Sequence, residues 1–557
     1  IERVEVMRGG GSALFGSSAI AGTINIITKE PMRNSGMLSH TITGIGDGDV
    51  FDNSTALNAS LVTDDQRAGL YIFGQNRHRS AYDHDGDGYS EIPKLHGQTI
   101  GFRSFLKTTT YSKLTFEYHH MEEFRRGGDL LNRPPHEANV AEQTEHSING
   151  GGLKFDYFSP NENHRFNVFA SAQHINRDSY YGPGDRDPLD AYGNTTDLNW
   201  MAGSQYVYSF GKCIFMPSDL TAGIEFNQDK LEDNMWGYNR TVDQKVNIGS
   251  AFLQNEWKND HWGFLIGGRL DKHNLIDHVI FSPRANLRYN PTENINLRFS
   301  YSSGFRAPQA FDEDLHVENV GGNVAMVELA DNLKEERSQS LSASADIYHR
   351  FGAFQVNFLV EGFYTKLSDV FALTDGEVVD GILTRTRHNA SGAQVLGLTL
   401  EGKMAYLNKI QVQAGVTLQQ SHYSKPHIWN KEAPAVKKMM RTPNTYGYFT
   451  ATYTPIKPLS IALSGTYTGS MLVPHEPVPG FLEKPITVNT KDFFDIGLKA
   501  AYDFKLYKSM NLQVNAGVQN IFNAYQNDFD KGADRDSGYI YGPSLPRSFF
   551  AGVKISY

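Results

Sequence analysis

Alternation of apolar and polar side chains with a period of two residues recurs along most of this chain. In the segment 294–302, Ile295, Leu297, Phe299 and Tyr301 alternate with polar residues. The same pattern returns in the segments 114–119, 354–361, 512–519 and 549–557. Successive side chains of a β-strand point to opposite faces, so the pattern predicts strands with one apolar and one polar face.

The lengths of the predicted strands and of the turns and loops between them favour a membrane barrel over a soluble sandwich, which would also bury one face. Many alternating segments have nine or more residues, enough for a tilted strand to cross a bilayer. Tyr and Phe, 28 and 34 in number, cluster near strand ends, as interfacial girdles would. Short turns alternate with long polar stretches, such as 181–198 and 421–442, and the chain ends on an aromatic residue, Tyr557. The sequence therefore predicts an all-β, transmembrane, antiparallel barrel.

Several function classes find no support in the sequence. The net charge of -10 is spread along the chain, without the basic stripe that nucleic-acid binding requires. We find no G-x-S-x-G, H-E-x-x-H, Walker or C-x-x-C motif, and Cys213 is the one cysteine. No catalytic residues are therefore predicted, and no cofactor is required.

The N-terminal residues carry a family pattern. Residues 1–8 read IERVEVMR, residues 9–16 read GGGSALFG, and residues 17–28 read SSAIAGTINIIT. This resembles the end of the plug domain of TonB-dependent receptors, with Gly10 where the family usually has Pro and Phe15 where it usually has Tyr. Similar family segments follow at 301–308, 331–336, 395–401, 520–525 and 542–548.

The resemblance implies a barrel of about 22 strands, with the C-terminal remnant of an α/β plug (residues 1–31) inside a barrel of residues 32–557. It implies that a signal peptide, a TonB box and most of the plug precede Ile1 in the parent protein. Gly9, Gly16 and Gly22 are expected at tight turns. Arg3, Glu5 and Arg8 are expected to form buried ion pairs with the barrel wall.

By the same resemblance, the protein resides in the bacterial outer membrane, in contact with its lipid, and takes up a metal chelate actively. Energy would come from the TonB–ExbB–ExbD complex, which pulls on the plug. Ferric siderophore and cobalamin are equally favoured ligands, with haem third. Two alternatives stay open: import of glycans or peptides with a surface lipoprotein partner, and a barrel-embedded enzyme.

His316 is the first candidate ligand-binding residue. It lies between the segments 301–308 and 331–336, where haem receptors of the family place a haem-ligating histidine, and a neutral imidazole suits haem iron. The alternative, which Asp312, Glu313 and Asp314 favour, is a loop histidine held by local hydrogen bonds.

An acidic segment at 83–91 is a candidate calcium loop. Asp83, Asp85, Asp87 and Glu91 supply hard oxygen ligands of the kind that calcium prefers. The twelfth position of a full EF-hand loop would be acidic, and Lys94 occupies it here. The alternative is a solvated acidic hairpin turn.

A third set of candidates is aromatic and basic. Such side chains can hold a catecholate or a corrin ring, or else belong to girdles and loop packing. The set comprises Arg125, Arg126, Tyr180, Tyr181, Trp236, Tyr238, Trp262 and His475.

Overall fold

The structure is a computed structural model that describes residues 2–20, 22–182, 187–317, 324–379 and 382–557. Its N-terminal segment comprises β1 (Arg3–Arg8), α1 (Ser12–Phe15) and β2 (Gly22–Ile27). The strands that follow are β3 (Ser35–Ile45), β4 (Val50–Val62), β5 (Ala68–Arg79), β6 (Lys94–Thr109), β7 (Ser112–Gly128), β8 (Ala141–Phe158), β9 (His164–Gly182), β10 (Tyr192–Cys213), β11 (Met216–Met235), β12 (Arg240–Lys258), β13 (Trp262–His273), β14 (Ile280–Thr292) and β15 (Ile295–Arg306).

The second half begins with a short helix and a loop strand. Its elements are α2 (Asp312–Leu315), β16 (Ala325–Leu329), β17 (Glu336–Phe351), β18 (Phe354–Ser368), β19 (Phe371–Val379), β20 (Ile382–Asn389), β21 (Ala393–Tyr406), β22 (Ile410–His427), β23 (Val436–Lys438), β24 (Thr445–Ile456), β25 (Leu459–Thr468), β26 (Leu472–His475), β27 (Ile486–Asn489), β28 (Phe493–Tyr507), β29 (Met510–Gln519) and β30 (Ser548–Ser556).

Antiparallel strands close into one barrel of 22 strands, as the sequence predicted. The barrel consists of β3–β15, β17, β18, β21, β22, β24, β25 and β28–β30. Closure occurs where β30 pairs with β3, and the backbone N–H of Tyr557 donates to the carbonyl of Gly36 at 2.9 Å. A closed sheet leaves no unpaired strand edge, which a bilayer would not tolerate.

The outer surface of the barrel carries the apolar side of the alternation. On β15, Leu297 and Phe299 are exposed, and on β30 Phe549, Val553 and Ile555 are exposed. Apolar residues at alternate positions form the surface that faces lipid in outer-membrane barrels. In the described part of the chain, no helix has the length and apolar character needed to cross a membrane.

The two ends of the barrel differ. At one end the strands are joined by turns of two to five residues, and at the other by longer loops that contain α2, the sheet β16–β20–β19 and the hairpin β26–β27. The predicted loops 181–198 and 421–442 are shorter than expected, because β10 starts at Tyr192 and β22 runs to His427. These strands exceed the roughly 9–11 residues that a bilayer requires and so rise above it.

Residues 9–20 and 22–30 lie inside the barrel, because they contact two opposite walls. The N–H of Gly10 donates to the hydroxyl of Ser340 on β17 at 3.1 Å. At the other wall, Glu30 lies 3.0 Å from Lys113 of β7. This placement agrees with a plug remnant, and the predicted domain boundary after residue 31 stays a prediction.

Glycine permits the close approach of the lumen segment to the wall. Gly9 and Gly16 have φ of 80° and 76°. A Cβ atom on Gly9 would lie 2.8 Å from the Cβ of Ser340, and one on Gly16 would lie 3.1 Å from the guanidinium of Arg269. Gly22 is the first residue of β2, where it pairs with Arg8.

The predicted wall ion pairs are wrong for Arg3 and Glu5. Both side chains are about half exposed, and they pair with each other at 2.8 Å. Residues two apart on a strand share a face, so Arg3 reaches Glu5 before it reaches a wall. Glu5 also accepts a hydrogen bond from Asn25 of the neighbouring strand. The side chain of Arg8 lies outside the described part of the structure.

Candidate ligand-binding site

A cavity of about 400 Å³ opens at the long-loop end of the barrel. Strands β7, β8 and β9 form its wall, and loop residues 89–93, His316 and 532–540 enclose it. Its lining includes four of the predicted residues, Glu91, Arg125, Tyr181 and His316, together with Arg535. A larger cavity of about 910 Å³ lies nearby, between β12 and the sheet β16–β20–β19, and its lining includes Tyr238. The smaller cavity is lined by more of the predicted ligand-binding residues.

Strand alternation separates the predicted residues that are neighbours in sequence. Arg125 and Tyr181 line the cavity, whereas Arg126 and Tyr180 occupy the opposite faces of β7 and β9. Arg126 is 2% exposed and donates to the backbone carbonyl of Asp129 at 3.1 Å. Tyr180 is 1% exposed and packs edge-on against Tyr192. Arg126 and Tyr180 therefore support the outer loops and do not reach the cavity.

His316 is a half-buried residue of the cavity. Its ring meets the ring of Tyr181 edge-on, with 5.0 Å between centroids and 88° between planes. The carboxylate of Glu142 interacts electrostatically with the imidazole. Among the described residues, no group forms a hydrogen bond with the His316 side chain.

The predicted local hydrogen bonds between His316 and its acidic neighbours are wrong. The wall arginines take those carboxylates instead: Asp312 binds Arg177 at 2.8 Å, Glu313 binds Arg306 at 2.6 Å, and Asp314 binds Arg387 at 2.6 Å. Neutralised in this way, they add little negative charge to the surroundings of His316. The objection that an acidic mouth disfavours an anionic ligand is correspondingly weaker.

The acidic segment 83–91 folds around its own carboxylates. Asp83 accepts hydrogen bonds from the N–H groups of Gly86 and Gly88, both at 2.8 Å. Asp87 and Glu91 both bind Arg535, which belongs to the last long loop. The guanidinium thus joins two loops that are more than 440 residues apart in sequence.

The two carboxylates that share Arg535 differ in pKa. Burial alone would raise the pKa of Asp87, but the N–H groups of Gly532 and Tyr89 and the charge of Arg535 outweigh burial and lower it. Burial raises the pKa of Glu91, against the N–H of His84 and the charge of Arg535. Asp87 is therefore the firmer partner of the guanidinium.

Three of the four predicted calcium ligands lie close together. Asp83, Asp85 and Glu91 each offer an oxygen within 4.8 Å of the others. In the described part of the structure, both carboxylate oxygens of Asp85 are inaccessible and lack a hydrogen-bond partner, and Lys531 lies 3.5 Å away. Asp87 lies outside this group and binds Arg535, to which Glu91 also binds. The donor set is thus three carboxylates, of the oxygen type that suits calcium.

The remaining candidates fall into structural positions. His475 is buried, with its ring stacked on Tyr539 at 3.8 Å and its Nε2 atom 2.9 Å from Asp530. The hydroxyl of Tyr238 donates to the carbonyl of Tyr181, so Tyr238 helps to hold Tyr181 at the cavity. Trp236, in the turn after β11, is 65% exposed.

Trp262 belongs to the aromatic girdle at the opposite end of the barrel. It is the first residue of β13, directly after a short turn, and it stacks on Tyr289 at 4.2 Å and on Phe264 at 5.7 Å. This position agrees with the girdle alternative and lies far from a ligand at the mouth.

The sequence missed the arginines of the mouth. Arg535 lies in a polar loop, and Arg177, Arg306 and Arg387 lie in β9, β15 and β20, far from one another in sequence. No spacing links them, because the barrel brings them together through non-local strand pairing. Only Arg306 has a local signal, as part of the segment 301–308.

Comparison with known proteins gives a consistent result. Residues 36–521 match the sequence profile of the family described as TonB dependent receptor-like, beta-barrel. The iron-regulated outer membrane virulence protein of Vibrio cholerae is 25% identical over 341 residues, which cover 58% of this chain and 47% of that protein. The vitamin B12 transporter BtuB of Vibrio vulnificus is 22% identical over 325 residues, covering 56% and 48%. The chain matches about half the length of these relatives.

Solved structures show the same fold. The siderophore receptor PirA of Acinetobacter baumannii superposes with a TM-score of 0.77 at 16% identity, covering 100% of this chain and 85% of that one. A mutant of the ferric enterobactin receptor PfeA of Pseudomonas aeruginosa gives the same values. At these identities the likeness concerns the fold.

Proposed function

The chain belongs to the TonB-dependent receptors, barrel proteins of the bacterial outer membrane, and from that premise we propose that it takes up a metal chelate actively. The observation that carries the proposal is the mouth cavity, where Arg125, Tyr181 and His316 converge above a segment that occupies the lumen. The lumen segment lies inside the barrel through which a chelate held there would pass. Passage needs work on the lumen segment, which the TonB–ExbB–ExbD complex would supply.

Ferric siderophore is the ligand class that the cavity supports best. Arg125, which is about half exposed and pairs with Glu123, offers a guanidinium to an anionic chelate, and Tyr181 lies beside it in the cavity lining as an aromatic contact. Relatives and structural neighbours add support, since their names include an iron-regulated protein and siderophore receptors. Cobalamin follows, through the likeness to BtuB.

Haem is a second candidate, favoured by His316. Its imidazole faces the cavity beside Tyr181 and has no hydrogen-bond partner among the described residues, so a ring nitrogen is available as an axial ligand to haem iron. The acidic residues that counted against haem are neutralised by arginines. Import of glycans or peptides with a surface lipoprotein has no comparable observation in its favour.

Direct binding separates these ligands. Detergent-solubilised protein would be titrated with a ferric catecholate, with cyanocobalamin and with haemin, each followed by quenching of tryptophan fluorescence. We expect the ferric catecholate to bind, and His316→Ala to leave that binding nearly unchanged. Exclusive binding of haemin, abolished by His316→Ala, would reverse the order of the two candidates. Binding of none of the three would count against the uptake of a metal chelate.

A structural calcium ion at Asp83, Asp85 and Glu91 is the remaining proposal for the site. Calcium would satisfy the buried oxygens of Asp85 and tie together the loop that forms one side of the cavity. It would act on loop order, with no part in chemistry.

A further inference from the structure

The loop between β15 and β17 places a short acidic helix on top of a group of buried arginines. Helix α2 contains Asp312, Glu313 and Asp314 in succession. The side chains of Arg177 and Arg387 beneath it are each 9% exposed. Burial of a charged group is costly unless the group is paired, so the arginines require anionic partners at all times.

The carboxylates that serve these arginines are of two kinds. Asp233 and Asp314 have side chains that are 1% and 4% exposed, and they are held from several directions. Asp233 binds both Arg177 and Arg240, whereas Asp314 binds Arg387 and caps its own helix at the N–H of Phe311. Asp233 of β11 and Asp314 of α2 are therefore permanent partners of the arginines.

The side chains of Asp312 and Glu313 are 88% and 57% exposed. Asp312 meets Arg177 with one oxygen at 2.8 Å, and Glu313 meets Arg306 at 2.6 Å and Arg387 at 3.3 Å. A carboxylate that is already mostly hydrated loses little when it leaves its partner and returns fully to water. Asp312 and Glu313 are therefore replaceable counter-ions.

We propose that Arg177, Arg306 and Arg387 form an anion-binding site for a polyanionic chelate, and that Asp312 and Glu313 occupy it as internal competitors until the chelate replaces them. The inference rests on the proposed function and specifies its ligand class. Two further features fit an anion with aromatic groups: Arg306 lies 3.8 Å from the ring centre of Phe311, and Arg387 lies 5.8 Å from that of Phe371.

Selectivity for charge follows from this arrangement. A trianionic chelate regains from the arginines the interactions that Asp312 and Glu313 give up. A neutral chelate offers no charge in exchange: Arg177 and Arg387 keep Asp233 and Asp314, but Arg306 loses its contact with Glu313. The helix thus discriminates against neutral cargo, because such cargo would replace ion pairs with weaker contacts.

The test compares two chelates of equal size class and different charge. Iron(III) tris-catecholate, a trianion, and iron(III) tris-acetohydroxamate, which is neutral, are titrated against the wild type and the double variant Asp312→Asn/Glu313→Gln. The control is Asp331→Asn/Glu328→Gln, which removes two exposed charges from the same loop. We expect the first double variant to bind the trianion about three- to tenfold more tightly and the control to change little.

A second arm tests the arginines themselves. Arg177→Gln in the double-variant background should weaken binding of the trianion by about tenfold or more, because Asp233 keeps Arg240 as its partner and the wall stays balanced. Equal affinity of the trianion for the double variant and the wild type would overturn the proposal. An equal gain in affinity in the control variant would also overturn it, because that gain would reflect only the change in the overall electrostatic field of the protein.

Failure of the proposed function has a different signature. If neither chelate binds any variant, inorganic pyrophosphate serves as the probe, followed by calorimetry. Tighter binding of pyrophosphate by the double variant than by the wild type and the control supports the anion site even then. Equal binding by all three proteins rejects it.

Discussion

Phe305, at the top of β15, is joined to Ser12 of the lumen segment: its backbone N–H donates to the Ser12 hydroxyl at 3.0 Å. Its carbonyl accepts from the N–H of Ser18 at 2.9 Å. Both polar groups of one wall residue are thus satisfied by the segment in the lumen. The next residue, Arg306, binds Glu313 of α2. The mouth helix and the lumen segment therefore meet the wall at adjacent positions.

Ser12→Ala is expected to loosen the lumen segment. It leaves the buried N–H of Phe305 without a partner, which costs about 1–3 kcal/mol. Hydrogen exchange of residues 9–20 should rise, with little change in the exchange of β20–β30. Ser17→Ala is the matched control, because the Ser17 hydroxyl is buried without a hydrogen-bond partner in the described part of the chain. Equal exchange in both variants would show that the Ser12 contact does not hold the segment.

Calcium should raise the melting temperature of the protein, and Asp85→Asn should abolish the increase. Asp87→Asn should preserve it, because Asp87 lies outside the group of three carboxylates that could hold the ion. Differential scanning fluorimetry with and without about 1 mM calcium, within the range in which extracellular sites bind it, measures both effects. An unchanged melting temperature in the wild type would reject the site.

The link between Asp87 and Arg535 should weaken in acid. The folded-state pKa of Asp87 is lowered, so the stability from this group is present above its unfolded pKa of about 3.9 and is lost as pH falls through the folded value. The melting temperatures of the wild type and of Asp87→Asn should therefore differ near pH 7 and converge in acid, once the pH is below the lowered folded-state pKa. A difference that persists in acid would show that the charge of Asp87 is not what holds the loop.

The sequence was sufficient for the barrel because its information is local. Alternation along 294–302 specifies which face of β15 meets lipid, and this holds whatever the neighbouring strands are. The outer loops have no comparable local pattern that specifies their structure. Half of the predicted stretch 181–198 is strand, because strand pairing continues above the membrane, where polar side chains suit a strand as well as a loop.

The candidate site residues were predicted from the chemistry of their side chains. The structure shows which of them lie at the cavity and which are buried elsewhere. His316 and Tyr181 meet at the cavity, whereas His475, equally polar and aromatic in context, is buried against Tyr539. Arg535 could not have been found, because its partners Asp87 and Glu91 lie at the other end of the chain. Loop-to-loop contacts of this kind depend on barrel closure and leave no trace in local spacing.

Arg125 and Arg126 provide the sharpest test of the site, since they are adjacent in sequence and opposite in role. Arg125→Gln removes a partly exposed guanidinium from the cavity wall, so affinity for an anionic ferric chelate should fall by about tenfold while the melting temperature changes little. Arg126→Gln removes a buried donor to the carbonyl of Asp129, so the melting temperature should fall and affinity should hold. Fluorescence titration and thermal unfolding of both variants measure the two effects. If Arg126→Gln weakened chelate binding more than Arg125→Gln did, the ligand would lie outside this cavity, because alternation along β7 does not permit both side chains to face it.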